Sequence, residues 1–262
     1  MILPKKEELE NKDEMYLYET DVDGYGIFST MRRIDKIIKL VDKHSRGKKV
    51  LDAGSAQGNI AALLAEEGYD AVALDLNQNF LNYAKKKREF GKISYVCANA
   101  LNPPFKKNTF DAVILGELVE HIAYPEKLLQ ASKRCLKKGG LIIITTPNDH
   151  LFYGLLSGHK PLLFNLIDKK NRKLLLKRQF GPSGSNHLFV FDVSTLKKIV
   201  EEQGFKVITS GYINSAFINQ VTYSFFKFLP KFFLIFLDSL ITKTPFLREM
   251  LSMGLYIAAK NE

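Results

Sequence analysis

Three features of this sequence predict an α/β fold, a doubly wound and mostly parallel sheet with helices on both faces. Short apolar runs of strand length alternate with helix-period segments. A glycine turn follows the first run, and the second run ends in a carboxylate. Residues 31–44 place Ile34, Ile37, Ile38 and Val41 on one helical face, after a polar, tyrosine-rich start that ends in Tyr25-Gly26. Lys49 to Asp52 reads as a strand, Asn59 to Glu67 as an alanine-rich helix, and Asp70 to Leu76 as a second strand. A helix over 78–90 leads to a third strand, 93–97, and a fourth, 110–115. Pro125 opens a helix predicted to stop at Gly139-Gly140, before a fifth strand over 141–146. Continuous apolar strands separated by helices are those of a parallel sheet buried on both faces.

After Pro147 this rhythm breaks. Residues 148–186 read as a basic, helical insertion with a helix around 162–177, closed by Gly181-Pro182-Ser183-Gly184. A helix over 193–203, a strand over 205–212 and a last strand over 254–260 bring the strand count to seven. The chain is thus expected to divide into an N-terminal helical or lid segment (1–46), a ligand-binding core (47–147), the insertion (148–186) and the completion of the sheet (187–262). The last of these contains a phenylalanine-dense stretch, 217–251.

At 262 residues and 46% hydrophobic content, the chain can bury one large core, or one core plus a subdomain. Cys97 and Cys135 make neither a disulfide framework nor a metal-ligand spacing. The first residues contain no apolar core of signal-peptide length, and the apolar run 232–237 is far short of the roughly 20 residues of a membrane span. A reducing, cytoplasmic setting is expected, with peripheral membrane contact left open. Of the net charge of +10, residues 151–262 supply +8, with 15 Lys/Arg against 7 Asp/Glu. Seven bases between Lys160 and Arg178 face only Asp168. That run is either a solvated helix face or a patch for anionic headgroups, a phosphorylated substrate or nucleic acid. The apolar residues from Phe225 to Leu237 go almost round a helix, so one face is available for a lipid-like substrate, the membrane interface or a partner.

The turn Asp52-Ala53-Gly54-Ser55-Ala56-Gln57-Gly58 carries the chemistry. Gly54 permits a sharp turn close to a ligand, and Gly58 permits close packing of the next helix. A dinucleotide site would need another glycine where Ser55 and Ala56 stand. Asp52 would also repel phosphate, so it suits a cation such as the sulfonium and ammonium of S-adenosylmethionine. Asp75, followed by Leu76 and Asn77, ends the second strand where a carboxylate accepts hydrogen bonds from ribose hydroxyls.

Over residues 47–147 the sequence resembles the class I S-adenosylmethionine-dependent methyltransferases. Val50 to Gly58 matches their glycine motif, and Asp75 their ribose acid. Asn99-Ala100-Leu101 matches the turn that contacts adenine, with Asn99 in place of the usual Asp. Phe110 to Glu117, including Gly116, matches the fourth-strand motif, and Leu136 to Thr146 the turn and strand that follow. Lys138 replaces a usual proline. The resemblance implies a Rossmann-like seven-stranded sheet with an antiparallel last strand, and S-adenosylmethionine as cofactor.

Glu117, Glu120 and His121 would share a face if this segment were helical. With His187 they resemble the acceptor side of quinone-biosynthesis O-methyltransferases and of small-RNA 2′-O-methyltransferases. Two readings follow. Glu117, Glu120, His121 and His187 hold Mg²⁺, Mn²⁺ or Zn²⁺ against the acceptor oxygen. Alternatively, His121 or His187 removes the acceptor proton without a metal. The expected activity is O-methylation of a small or lipid-like acceptor. The alternatives are RNA 2′-O-methylation, with Phe164 as the one aromatic in the basic run for a base to stack on, and cofactor binding without catalysis.

Overall fold

The computed structural model describes residues 25–87, 91–148, 162–164, 175–179, 187–215 and 229–262. In chain order the elements are α1 (Tyr25–His44), β1 (Lys49–Ala53), α2 (Asn59–Glu66), β2 (Asp70–Asp75), α3 (Gln78–Lys87), β3 (Lys92–Cys97) and β4 (Phe110–Gly116). A 3₁₀ turn, Val119–His121, precedes α4 (Pro125–Cys135) and β5 (Leu136–Pro147). Then come β6 (Leu162–Leu163), α5 (Leu176–Gln179), β7 (Phe189–Val190), α6 (Val193–Glu202), β8 (Phe205–Ser215), α7 (Lys231–Lys243), α8 (Pro245–Leu251) and β9 (Ser252–Asn261).

Seven strands form one sheet in the order β3-β2-β1-β4-β5-β9-β8. The pairs from β3 to β5 are parallel, and β9 runs antiparallel to both β5 and β8. The doubly wound α/β sheet with an antiparallel last strand, expected from the sequence, is therefore the fold. Alternate strand residues face opposite layers. Leu51, Leu74, Val113, Ile142 and Ile257 join one cluster with Leu128 of α4 and Leu196 of α6. Val50, Ile114, Ile143 and Ala258 join another with Ile34 and Ile37 of α1 and Leu64 of α2. Each such side chain, once buried, contributes about 1.5–3 kcal/mol, which fixes α1 against the sheet through Ile34, Ile37, Leu40 and Val41. Ile38, expected on that face, is only half-buried.

Two expectations fail locally. The helix opened by Pro125 stops at Cys135, not at the Gly139-Gly140 pair, and Leu136 already pairs with Phe110. Leu136 is extended, at φ −75° and ψ 139°, so the strand begins there, and Asn261 Nδ2 donates to the carbonyls of Leu136 and Lys137 and holds that start in place. The residues before Leu141 form a bulge with Gly139 at φ 72°. Secondly, the helix predicted around 162–177 does not begin at Leu162. Leu162 and Leu163 pair in parallel with Phe189 and Val190, while Phe164 sits buried 5.1 Å from the rings of both Phe189 and Phe191. Only Leu176–Gln179 of that stretch is seen as helix, and most of the basic run lies outside the described residues. The phenylalanine-dense stretch is described from 229 onward, as α7 and α8.

Candidate active site

The carboxyl ends of β1, β4 and β5 open on a cavity of about 950 Å³, the place where a doubly wound sheet binds its ligands. Its floor is the β1–α2 turn. Gly54 and Gly58 both adopt left-handed backbone conformations, at φ 74° and 69°. A side chain at Gly54 would press on the end of Leu118, and its φ favours glycine at this turn. The N–H groups of Gly54 and Ser55 both donate to the Leu74 carbonyl, at 2.8 and 3.0 Å, tying the turn to β2. Asp75 reinforces the tie. One of its carboxylate oxygens accepts from the Ala56 N–H and the other from the Asn77 N–H, each at 2.8 Å. Each oxygen keeps a second lone pair for a ligand hydroxyl.

Of the residues expected at the site, Gly54, Ser55, Asn77, Gly116, Glu117, His121 and His187 line this cavity. Asp52, Gly58, Asp75, Leu76, Asn99, Ala100, Leu101 and Glu120 lie outside its wall. Asp52 is buried beneath the turn and accepts from the Ala61 N–H at 3.2 Å. Leu76 is exposed beside Asp75. Asn99 is exposed too, and its Oδ1 accepts from the Leu101 N–H at 2.9 Å, leaving one lone pair on that oxygen.

The acceptor side differs from the expected helical face. Glu117 has φ 53°, so the chain reverses there before the 3₁₀ turn begins, and Glu117 separates from Glu120 and His121. Its carboxylate pairs with the Arg33 guanidinium at 3.3 Å. Glu120, His121 and His187 do converge, with potential ligand atoms all within 4.8 Å of one another. The two imidazole rings stand edge to face, 4.9 Å apart. Glu120 is fully buried; Thr146 Oγ1 donates to its Oε2 at 3.0 Å, and its Oε1 has no hydrogen-bond partner. Burial pushes the Glu120 carboxyl up to about 7, against the Thr146 bond and the charge of Arg33. Burial likewise pushes Asp52 up to about 7, opposed by the Ala61 N–H and by Arg33 but helped by the charge of Asp75.

Among the lining residues that sequence reasoning missed, two polar ones stand out, Arg33 and Asn214. Arg33 reaches the cavity from α1, and burial lowers the pKa of its guanidinium while Glu120 and Asp52 raise it. The signal was present: Arg33, Ile37 and Val41 are spaced four apart, so a cation continues the buried stripe. Asn214, at φ 56°, donates through Nδ2 to both the carbonyl and the Oγ of Ser29 at 2.9 Å, while its Oδ1 is buried without a partner. Ser55 Oγ is in the same position. Of the four non-glycine residues at positive φ among the described ones, Ala56, Glu117 and Asn214 line the cavity. Such backbone strain is stored at sites shaped for a ligand.

Comparison with known proteins agrees with this geometry. A family model described as "methyltransferase domain" matches residues 27–210. The ubiquinone/menaquinone biosynthesis C-methyltransferase UbiE of Photorhabdus laumondii is 28% identical over 203 residues, covering 72% of this chain and 77% of its own. In fold, the chain is similar to the magnesium protoporphyrin IX methyltransferase of Synechocystis PCC 6803, solved with bound SAH. The TM-score is 0.58 at 13% identity, over 92% of this chain and 86% of that one. It is also similar to an SAM-dependent methyltransferase of Archaeoglobus fulgidus, with TM-score 0.54 at 19% identity, over 90% of this chain and 99% of the other.

Proposed function

This chain belongs to the methyltransferase family whose model spans residues 27–210, and from that premise we propose that it methylates a hydroxyl of a small, lipophilic acceptor. It is an S-adenosylmethionine-dependent methyltransferase. One observation carries the acceptor reading: a single cavity joins the Gly54–Gln57 turn to the His121–His187 imidazole pair. We assign the donor to the turn side, with Asp75 at the ribose, Asn99-Ala100-Leu101 at the adenine and Asp52 beneath the sulfonium. Residues 47–147 thus serve the donor, joined by Arg33 beside Glu117, and the rest of 1–46 together with 148–262 shape the acceptor side. In the transfer, the acceptor O–H gives its proton to an imidazole nitrogen. The oxygen then attacks the methyl carbon in line with the C–S bond, and that bond's electrons return to sulfur. The products are a methyl ether, S-adenosylhomocysteine and a proton passed on to water. Because the sulfonium is already a good leaving group, alignment supplies most of the acceleration.

The named activity of the UbiE relative favours a second reading, transfer to carbon. A phenolate is nucleophilic at oxygen and at its ring carbons, so the same proton removal by His121 or His187 serves both outcomes. Labelled methyl donor decides between them, since the product's methyl resonance is oxygen-bound in one case and carbon-bound in the other. The stacking aromatic needed for RNA is missing from the described part of the basic run, because Phe164 is buried in the core.

Two further tests apply to the site. Asp75→Ala is expected to weaken S-adenosylmethionine binding at least tenfold by titration calorimetry, because it removes the carboxylate that ties the glycine turn to β2. Unchanged affinity would reject the ribose assignment. The metal reading is supported by the convergence of Glu120, His121 and His187 and by Glu120 Oε1, which is buried without a hydrogen bond 4.0 Å from His121 Nε2. These three residues would hold Mg²⁺, Mn²⁺ or Zn²⁺, whose chemistry is to lower the pKa of the acceptor hydroxyl. Glu117 is excluded from the set by its pairing with Arg33. Chelation with EDTA should then abolish turnover, and full activity in EDTA would eliminate the metal.

A further inference from the structure

Helix α7 is apolar on both its inward and its outward side. Its inward side holds Leu234, Ile241 and the carboxylate of Asp238, all buried. Asp238 forms an ion pair with Arg32 of α1 and accepts from the Ser215 N–H at 2.5 Å. Its outward side carries Phe232, Phe233, Ile235, Phe236 and Leu240, exposed at 73, 38, 41, 60 and 50%. Phe232, Phe236 and Leu240 recur every four residues, so the apolar surface is a continuous stripe along the helix. Ordinary amphipathic helices carry polar residues on that outward face. No described carboxylate lies on this outward face, and Lys243 continues the Phe232–Phe236 line at its end. On the adjoining α8, Phe246 is 70% exposed, and Arg248 stands next to the one acid of that helix, Glu249.

We propose that the outward face of α7 docks on an anionic lipid bilayer, inserting Phe232 and Phe236 among the headgroups and acyl chains. Three observations favour a bilayer over a second copy of the chain. The five exposed side chains offer on the order of 500 Å², short of the roughly 800 Å² per partner of a stable protein interface. The face is convex and needs no complementary groove. Lys243 borders it, in a chain of net charge +10. Docking there also has a use. Asp238 grips Arg32 and Ser215, and their neighbours Arg33 and Asn214 line the cavity, so helix α7 stands one residue behind the cavity wall. This use rests on the proposed lipophilic acceptor, but bilayer binding is measured without turnover and stands or falls by itself.

The full chain is incubated with sedimentable phosphatidylcholine vesicles, with and without phosphatidylglycerol. Strong retention is expected only when the anionic lipid is present. The double variant F232S/F236S should bind at least tenfold more weakly while keeping its thermal midpoint and its S-adenosylmethionine affinity, since neither residue lines the cavity. The sequence has no tryptophan, so F236W gives a single reporter. Its emission should shift to the blue on anionic vesicles and be quenched by brominated lipid. Equal retention of the double variant and the parent, no retention of the parent, or an unquenched reporter would each overturn the proposal. So would a dimer that the double variant dissolves without any vesicle binding, which would assign the face to a second copy.

Discussion

Arg33→Ala is expected to weaken S-adenosylmethionine binding by one to two orders of magnitude, while leaving the affinity for 5′-methylthioadenosine nearly unchanged. Arg33 faces three carboxylates: Glu117 in a direct pair at 3.3 Å, and Asp52 and Glu120 through the electrostatic field. The donor's amino-acid end carries one ammonium and one carboxylate. The described cavity wall offers it one carboxylate, Glu117, and one guanidinium, Arg33. When the donor enters, Glu117 can exchange its partner for the ammonium and Arg33 its partner for the carboxylate, so no charge is left bare. Removing one member of a desolvated pair costs about 3–5 kcal/mol when the other stays buried. Arg33 and Glu117 are 22 and 32% exposed, so solvent screening reduces that cost. Methylthioadenosine lacks the amino-acid end and should not register the change. Equal weakening of both ligands in calorimetry would show that Arg33 supports the fold of the turn and not the donor's carboxylate. Arg33→Lys should recover part of the loss, because a point charge replaces the charge but not the fork.

The glycine turn and the strands around it were legible because their determinants are local. The β1 strand, the turn at Gly54 and Gly58, and the strand-ending Asp75 all lie within 49–75, and a glycine at φ 74° next to a packed Leu118 has few substitutes. The acceptor half was not legible, because its determinants come from distant parts of the chain. Leu162-Leu163 becomes a strand only because Phe189-Val190 is there to pair with, and no periodicity within 162–177 announces that partner. The supposed shared face of Glu117, Glu120 and His121 assumed a helix, and the reversal at Glu117 removed the first member. His187 joined His121 as expected of both, although their meeting depends on the segment before α6 returning to the end of β4. Arg33 was signalled only by its place on the Ile37–Val41 stripe, and Asn214 matters through contacts across the molecule that its residue type does not announce. The exposed face of α7 stands between these cases. The sequence showed apolar residues nearly all round the helix, and the structure determined which side the sheet takes.

Asp52→Asn is expected to stabilise the unliganded protein at pH 8 and to leave it nearly unchanged at pH 4, while weakening the donor. The carboxyl of Asp52 keeps its proton up to about pH 7 because it is buried. In the unfolded chain it ionises near pH 4. Between these values the folded chain holds a proton that the unfolded chain has released, so stability falls as pH rises. The protonated group's contribution is complete below about pH 4 and gone by about pH 8. An amide at this position still accepts from the Ala61 N–H but never ionises, so the variant lacks this slope. A shift of three units has a ceiling of about 4 kcal/mol. The carboxylate also shields Arg33, so the gain at pH 8 should be nearer 1 kcal/mol, or a few degrees in the thermal midpoint. Glu120 ionises in the same range and leaves the variant a residual slope. The function runs the other way. An ionised Asp52 under the glycine turn favours the donor's sulfonium and ammonium, so parent affinity should rise between pH 6 and 8 with net proton release on binding. In Asp52→Asn that release should shrink and affinity at pH 8 should fall about tenfold, which is 1.4 kcal/mol. A variant less stable than its parent at pH 8, with unchanged proton release, would show that Asp52 is structural and that the cation is held by other groups. The opposite result would identify Asp52 as a residue whose ionisation costs the empty protein stability and is offset only when the cationic donor is bound.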